Sequence, residues 1–313
     1  MRWLILCLLG LFAVAAALAV GPAGVPLREL AGSGIVWDLR APRAVLGFLV
    51  GGSLAVAGVG LQAVVRNPLA DPFLLGLSGG AGLGAVVAIA LDVSGPWAVP
   101  LAAFAGALLA LVLVYRMGHV GGSGLDPRIL LLGGVAVGAF AAAVTTAIVS
   151  LAEATALRNA FLWLWGGLSG ASWDTVLVLA IYAPIPLVII AAAARPLDLM
   201  TLGEEPARYL GADVEAVKRR VYVAASLLTA ASVAVSGVIG FVGLIVPHVG
   251  RLVWGQRHRT LLPAAFLSGG TLLVLADTLA RTVVAPRELP VGIVTALVGV
   301  PLFALLLRRW TIA

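Results

Sequence analysis

Residues 221–250 read VYVAASLLTAASVAVSGVIGFVGLIVPHVG, thirty positions without one Asp, Glu, Lys or Arg. A helix crosses the hydrocarbon core of a bilayer in about 20 residues, so this run is too long for a single span. Its own punctuation shows where it divides: Ser236-Gly237, Gly240, Gly243 and Pro247 interrupt the helical pattern. The run is therefore read as two spans meeting near Gly237 to Gly240. That extra crossing sets the side on which every later loop lies.

Eight further charge-free runs, 3–27, 44–65, 72–91, 93–115, 129–152, 175–194, 260–276 and 289–307, are each of roughly single-span length. With the division the total is ten. Basic residues gather in cytoplasmic loops, which checks the count independently. With both termini inside, ten spans place fourteen basic residues in the cytoplasm, Arg2, Arg66, Arg208, Lys218, Arg251 and Arg257 among them, and six outside: Arg28, Arg40, Arg43, Arg158, Arg281 and Arg287. Nine spans would leave eleven inside and nine outside. The first run is longer than the core of a cleaved signal peptide and is read as an anchoring span. Trp163, Trp165 and Trp173 fall in an outer segment, where amphipathic rings settle at lipid headgroups.

The composition agrees. Of 313 residues 62% are hydrophobic and 11% charged, with 38 Gly, 17 Pro and a mean hydropathy of +1.12. That excludes a water-soluble fold. The single Cys7 excludes a disulfide framework or a cysteine metal site. Nineteen of the twenty basic residues are Arg, and the net charge of +6 reports cytoplasmic loops rather than nucleic-acid binding. Intervals between apolar runs are too short for a separate soluble domain, so residues 1–313 are read as one transmembrane domain.

The spans carry almost no charge. Asp277 precedes Arg281 by four residues, the spacing of a helical ion pair near the outer boundary, and His248 follows Pro247 as a packing or gating histidine. No glycine-rich phosphate loop precedes Lys218, so the chain lacks the G-x-x-x-x-G-K-[S/T] signature of an ATPase. If nucleotide drives it, another subunit hydrolyses the ATP. Residues 201–220 offer a surface for such a motor. Glu204, Glu205 and Pro206 suit a first helical turn, Gly211 suits its C-terminal cap, and Asp213 suits the N-cap of a second helix entering the next span. Leu210 and Tyr209 would give apolar contacts and Glu204, Glu205 and Arg208 polar ones. An amphipathic connector that merely solvates this face fits the same pattern.

Several segments, in order along nearly the whole chain, resemble the FecCD-type permeases, the membrane subunits of ATP-driven bacterial importers for cobalamin, haem and ferric siderophores. They are Leu39-Arg40-Ala41-Pro42-Arg43, Gln62 through Arg66-Asn67-Pro68-Leu69-Ala70-Asp71-Pro72, Leu75-Gly76-Leu77-Ser78-Gly79-Gly80-Ala81 and Trp165-Gly166-Gly167-Leu168-Ser169-Gly170. Leu202-Gly203-Glu204 with Leu210-Gly211, the stretch Gly240 to His248, Leu275-Ala276-Asp277 and Glu288 to Thr295 complete the set.

The resemblance implies an all-α type II ABC importer permease fold in the bacterial inner membrane. It also implies a homodimer with the cargo path at its interface, two ATPase subunits below, and a periplasmic or lipid-anchored substrate-binding protein above. No cofactor belongs to this chain, since ATP and Mg sit on the ATPase, and no catalytic or metal residue is expected. Arg40, Arg43 and Arg281 match the docking arginines, and Leu202, Gly203, Glu204, Arg208, Leu210 and Gly211 match the ATPase contact. Asn67 and Pro68 form a structural turn at the inner mouth, where proline ends the helix and Asn67 satisfies freed backbone groups. Gly80-x-x-x-Gly84 is a close-packing pattern. Cargo is expected to be a metal chelate, with an iron-containing siderophore or haem favoured by frequency. An ion-coupled secondary transporter using Asp277 or His248 is the alternative, and a membrane-embedded enzyme is disfavoured because no catalytic constellation recurs within the spans.

Overall fold

The computed structural model describes residues 1–24, 26–119 and 125–310, without the side chains of residues 27, 31 and 306–310. The side chains of Arg308 and Arg309 and the last three positions of the expected 1–313 domain are therefore outside what is described. Fourteen α-helices and no strand occur among the described residues. In chain order they are α1 (Arg2–Ala19), α2 (Ala41–Val65), α3 (Leu77–Ala90), α4 (Ala98–Gly118), α5 (Pro127–Leu151), α6 (Ala154–Leu164) and α7 (Trp173–Tyr182). Then come α8 (Pro184–Ala192), α9 (Ala194–Met200), α10 (Glu204–Tyr209), α11 (Val214–Ser236), α12 (Val242–Trp254), α13 (His258–Ala280) and α14 (Val291–Trp310).

Helix α2 is the axis of the fold. A π-helical stretch, Ile35–Arg40, leads into it, and nearly all of its length is buried against α11, α12 and α13. Lipid gives no hydrophobic drive for helices to associate, so close backbone approach must supply the attraction. Glycines make that approach possible: a Cβ on Gly58 would strike the carbonyl of Gly243, and one on Gly51 the carbonyl of Gly269. The Gly80-x-x-x-Gly84 face does the same for α3 against α4, meeting the carbonyls of Gly106 and Ala102.

The thirty-residue apolar run breaks where its glycines and serine indicated. Helix α11 stops at Ser236, Gly237 takes φ 67°, Phe241 takes a left-handed φ of 70°, and α12 starts at Val242. Irregular backbone at membrane depth needs protein partners for its polar groups. One comes from the segment after α6, where the Gly167 N–H donates to the Ser236 carbonyl at 2.8 Å. Gly237 and Gly166 pack so closely that a side chain on either would meet the other segment's backbone.

The span count is less complete than expected. Among the described residues six helices are long and apolar enough to cross a membrane: Arg2–Ala19, Ile35–Val65, Ala98–Gly118, Pro127–Leu151, Trp173–Ala192 and His258–Ala280. Leu77–Ala90 and Val242–Trp254 are apolar but shorter, and α14 is apolar over Val291–Leu305, the part whose side chains are described. Helix α11 is long enough, yet it opens with Glu215, Lys218, Arg219 and Arg220. Length and composition thus establish a polytopic helical membrane fold and not, by themselves, the number ten. Run 175–194 is one span in two pieces, because Pro184 and Pro186 lack N–H donors and divide α7 from α8. The outer segment also contains an unexpected amphipathic helix, α6.

Candidate functional site

The expected site residues lie at the two ends of the bundle. At one end the chain leaves α9, and Gly203 adopts φ 119°, which a side chain resists, to launch the short helix α10. Gly211 ends that helix at φ 87°, and the Asp213 carboxylate then accepts the Ala216 N–H at 3.1 Å to open α11. The second helix expected after Asp213 is the first turns of the long α11. Leu202, Tyr209 and Leu210 project outward, Tyr209 91% exposed, while Ala207 is fully buried beneath.

Glu204 and Arg208 do not project as freely as Leu210 does. The chain's one lysine, Lys218, only 3% exposed, holds Glu204 Oε1 at 2.7 Å and Glu215 Oε1 at 3.2 Å. Arg208 stands 3.6 Å from Glu204 and 3.5 Å from Glu215. The other Glu215 oxygen accepts the Leu125 N–H at 2.9 Å. A buried ammonium shared by two carboxylates makes α10 a clip fixed to α11 rather than a loose connector. Neither pairing of Lys218 was expected from the sequence, and Glu204, fourteen positions away, reaches it only through the fold.

The inner-mouth turn lies at the same end. Arg66 takes a left-handed conformation, the Asn67 N–H donates to the Gln62 carbonyl at 3.2 Å, and Asn67 Oδ1 accepts the Leu69 N–H at 2.9 Å. Pro68 borders a cavity of about 460 Å³ whose walls also carry Arg66, His248, Arg251 and His258. Two contacts around it were not anticipated from the sequence. The Arg251 guanidinium donates to Gln62 Oε1 at 2.5 Å, and Asp198 Oδ1 lies 2.6 Å from His258 Nδ1.

At the opposite end the three arginines meet, but their engagement differs from the exposed surface that was expected. Arg40, 4% exposed, donates to the carbonyls of Leu18 at 2.8 Å and Ala19 at 3.0 Å, and also to that of Ala23. Arg281, 3% exposed, donates to the Ala17 carbonyl at 2.5 Å. Both therefore satisfy carbonyls at or just beyond the C-terminus of α1, where cations also oppose the helix dipole. Arg43 clasps Asp277 bidentately, with Nε donating to Oδ2 and Nη2 to Oδ1, each at 2.9 Å, and reaches Glu288 at 2.9 Å. The expected Asp277–Arg281 pair exists only at 3.8 Å, so Arg43 is the principal partner. All three arginines border a cavity of about 430 Å³ with Glu288 at its edge.

Residues 2–309, almost the full length, match the FecCD transport family. This chain belongs to that family. It is 47% identical over 279 residues to the cobalamin import system permease protein BtuC of Halobacterium salinarum, covering 88% of this chain and 73% of that one. The hemin transport system permease protein HmuU of Yersinia pestis is 42% identical over 280 residues, covering 88% and 83%. A solved inward-facing ABC transporter assigned to the metal-chelate type superposes with a TM-score of 0.87 at 29% identity, covering 97% of each chain. FecCD proteins are transport permeases, not enzymes, and the ATPase is a separate subunit. As a FecCD permease, this chain is a multi-pass protein of the inner membrane and works by moving cargo rather than converting it.

Proposed function

We propose that this FecCD permease spans the membrane ten times with both termini inside, pairs with a second copy of itself, and imports a metal chelate along the shared interface. Two ATPase subunits press on Leu202, Tyr209 and Leu210. A substrate-binding protein docks at the opposite end, with a carboxylate entering the cavity bordered by Arg40, Arg43 and Arg281. Arg43 is the reachable guanidinium there, while Arg40 and Arg281 hold the end of α1 beneath it. Haem, cobalamin and ferric siderophores belong to one chemical class as cargo, and relatives named for two of them stand at similar identity.

The clip of α10 on Lys218 carries this reading. A motor subunit needs a rigid surface joined to a span, and here outward apolar side chains sit on a helix pinned to α11 by buried charge. The ten-span topology draws support from contacts between distant parts of the chain. Arg2 donates to the Val253 carbonyl, Arg251 to Gln62, and Asp198 pairs with His258, all inner residues under ten spans. Nine spans would require each of these pairs to join opposite faces of the membrane.

The test is reconstitution into liposomes with the ATPase and binding protein, using haemin, cyanocobalamin and a ferric siderophore as probes. Uptake of one of them that needs both ATP and the ATPase is the expected result. Uptake by the permease alone, driven by an ion gradient, would establish the secondary-transport alternative instead.

A further inference from the structure

The two arginines that follow the buried lysine have no carboxylate partner among the described residues. Arg219 and Arg220 are exposed, and they close one end of a groove of about 370 Å³ between α8 and α11. Tyr182, Ile185, Pro186, Ile189, Val223 and Leu227 line most of the remainder, and its surface is almost wholly apolar. From Val217 to Ala230 only residues 219, 220, 223 and 227 of α11 escape burial, a stripe at helical spacing that opens onto the groove. Leu227 lies about 10 Å along the helix from Arg220, at 1.5 Å per residue.

We propose that this groove is a binding site for one anionic phospholipid, with its phosphate on Arg219 and Arg220 and an acyl chain along Val223 and Leu227. The charge-free run starts at Val221, which puts the two guanidinium groups at the depth where the apolar core gives way to headgroups. Guanidinium forks match phosphate oxygens, and basic pockets between helices on the cytoplasmic side attract anionic headgroups. Exposed Ile181, Ile185 and Val188 continue the apolar surface beside the groove, as a lipid-facing wall requires. A free anion would use the arginines without the apolar stripe. The site does not depend on which cargo is carried.

Native mass spectrometry of the full chain, loaded with phosphatidylglycerol or phosphatidylcholine, tests this. The wild type should retain about one phosphatidylglycerol per chain, and binding should weaken at least about tenfold, roughly 1.4 kcal/mol, in two variants. Arg219→Gln with Arg220→Gln removes the charge, and Val223→Phe fills the groove while leaving both arginines. Equal retention in all three proteins, equal retention of phosphatidylcholine, or full binding by Val223→Phe would overturn the proposal. Displacement of the lipid by millimolar inorganic phosphate would do so too, assigning the arginines to a free anion. Should a variant fail to fold, melting of the wild type decides: phosphatidylglycerol should raise the midpoint above phosphatidylcholine, and identical midpoints would refute the site.

Discussion

Arg43 touches two carboxylates at once, and the side chain of one of them, Asp277, is 4% exposed. Removing the arginine leaves a buried carboxylate whose next cation, Arg281, is 3.8 Å away. Breaking a buried pair from one side costs about 3–5 kcal/mol, because the surviving charge stays desolvated, whereas removing both partners costs much less. Arg43→Ala should therefore lower the melting midpoint in detergent more than Arg43→Ala with Asp277→Asn. Equal midpoints would mean that water already reaches Asp277. Single-residue reading of the sequence stopped short here for a definite reason. The Asp277–Arg281 spacing of four is local and visible, but the stronger partner lies 234 positions away. Arg40 and Arg281 border one cavity at the same end of the molecule. Their main acceptors are backbone carbonyls at and just beyond the end of α1, which carry no residue identity and leave no trace in a sequence.

Helices α3 and α4 show what small residues do at the scale of an element. A Cβ on Gly84 would collide with the Ala102 carbonyl, whereas one on Gly138 would find only the Gly76 Cα at 3.7 Å, an ordinary contact. Alanine otherwise favours a helix over glycine by about 1 kcal/mol, so the two substitutions should part company. Gly84→Ala should destabilise by about 1–3 kcal/mol through forced separation of the backbones, and Gly138→Ala should be neutral or stabilising. Similar melting for the two variants would remove close approach as the cement between α3 and α4. Among elements, those marked by composition were legible: the break at Gly237 to Phe241, the Asn67–Pro68 turn, and the Gly203 and Gly211 boundaries of α10. Helix α6 was not, since of the three tryptophans assigned to the headgroups only Trp163 lies in it. Its end packs instead against the α11–α12 break, with Trp163 among the apolar contacts near Val238. The lock on α10 was equally hidden, since it depends on how two helices fold back on each other.

At the scale of the whole molecule, sidedness can be tested apart from helix length. Helices α3 and α12 are short for a membrane, so length cannot decide whether each crosses, yet every crossing reverses the side of each later loop. Two exposed positions bracket the decisive pair of helices: Tyr209 precedes α11, and Gln256 comes after α12. Ten spans put both in the cytoplasm, and a single continuous crossing through 221–250 would put them on opposite sides. The one native cysteine is Cys7, so a Cys7→Ser background gives a clean starting point. Tyr209→Cys and Gln256→Cys should react with a membrane-impermeant maleimide only when the inner face of the membrane is opened. Asp174→Cys and Arg287→Cys should react in intact cells. Labelling of Gln256→Cys from outside, with Tyr209→Cys protected, would restore nine spans. It would also separate the coupling surface from the cavity of Gln62, Arg251 and His258, which the fold places at the same end of the bundle.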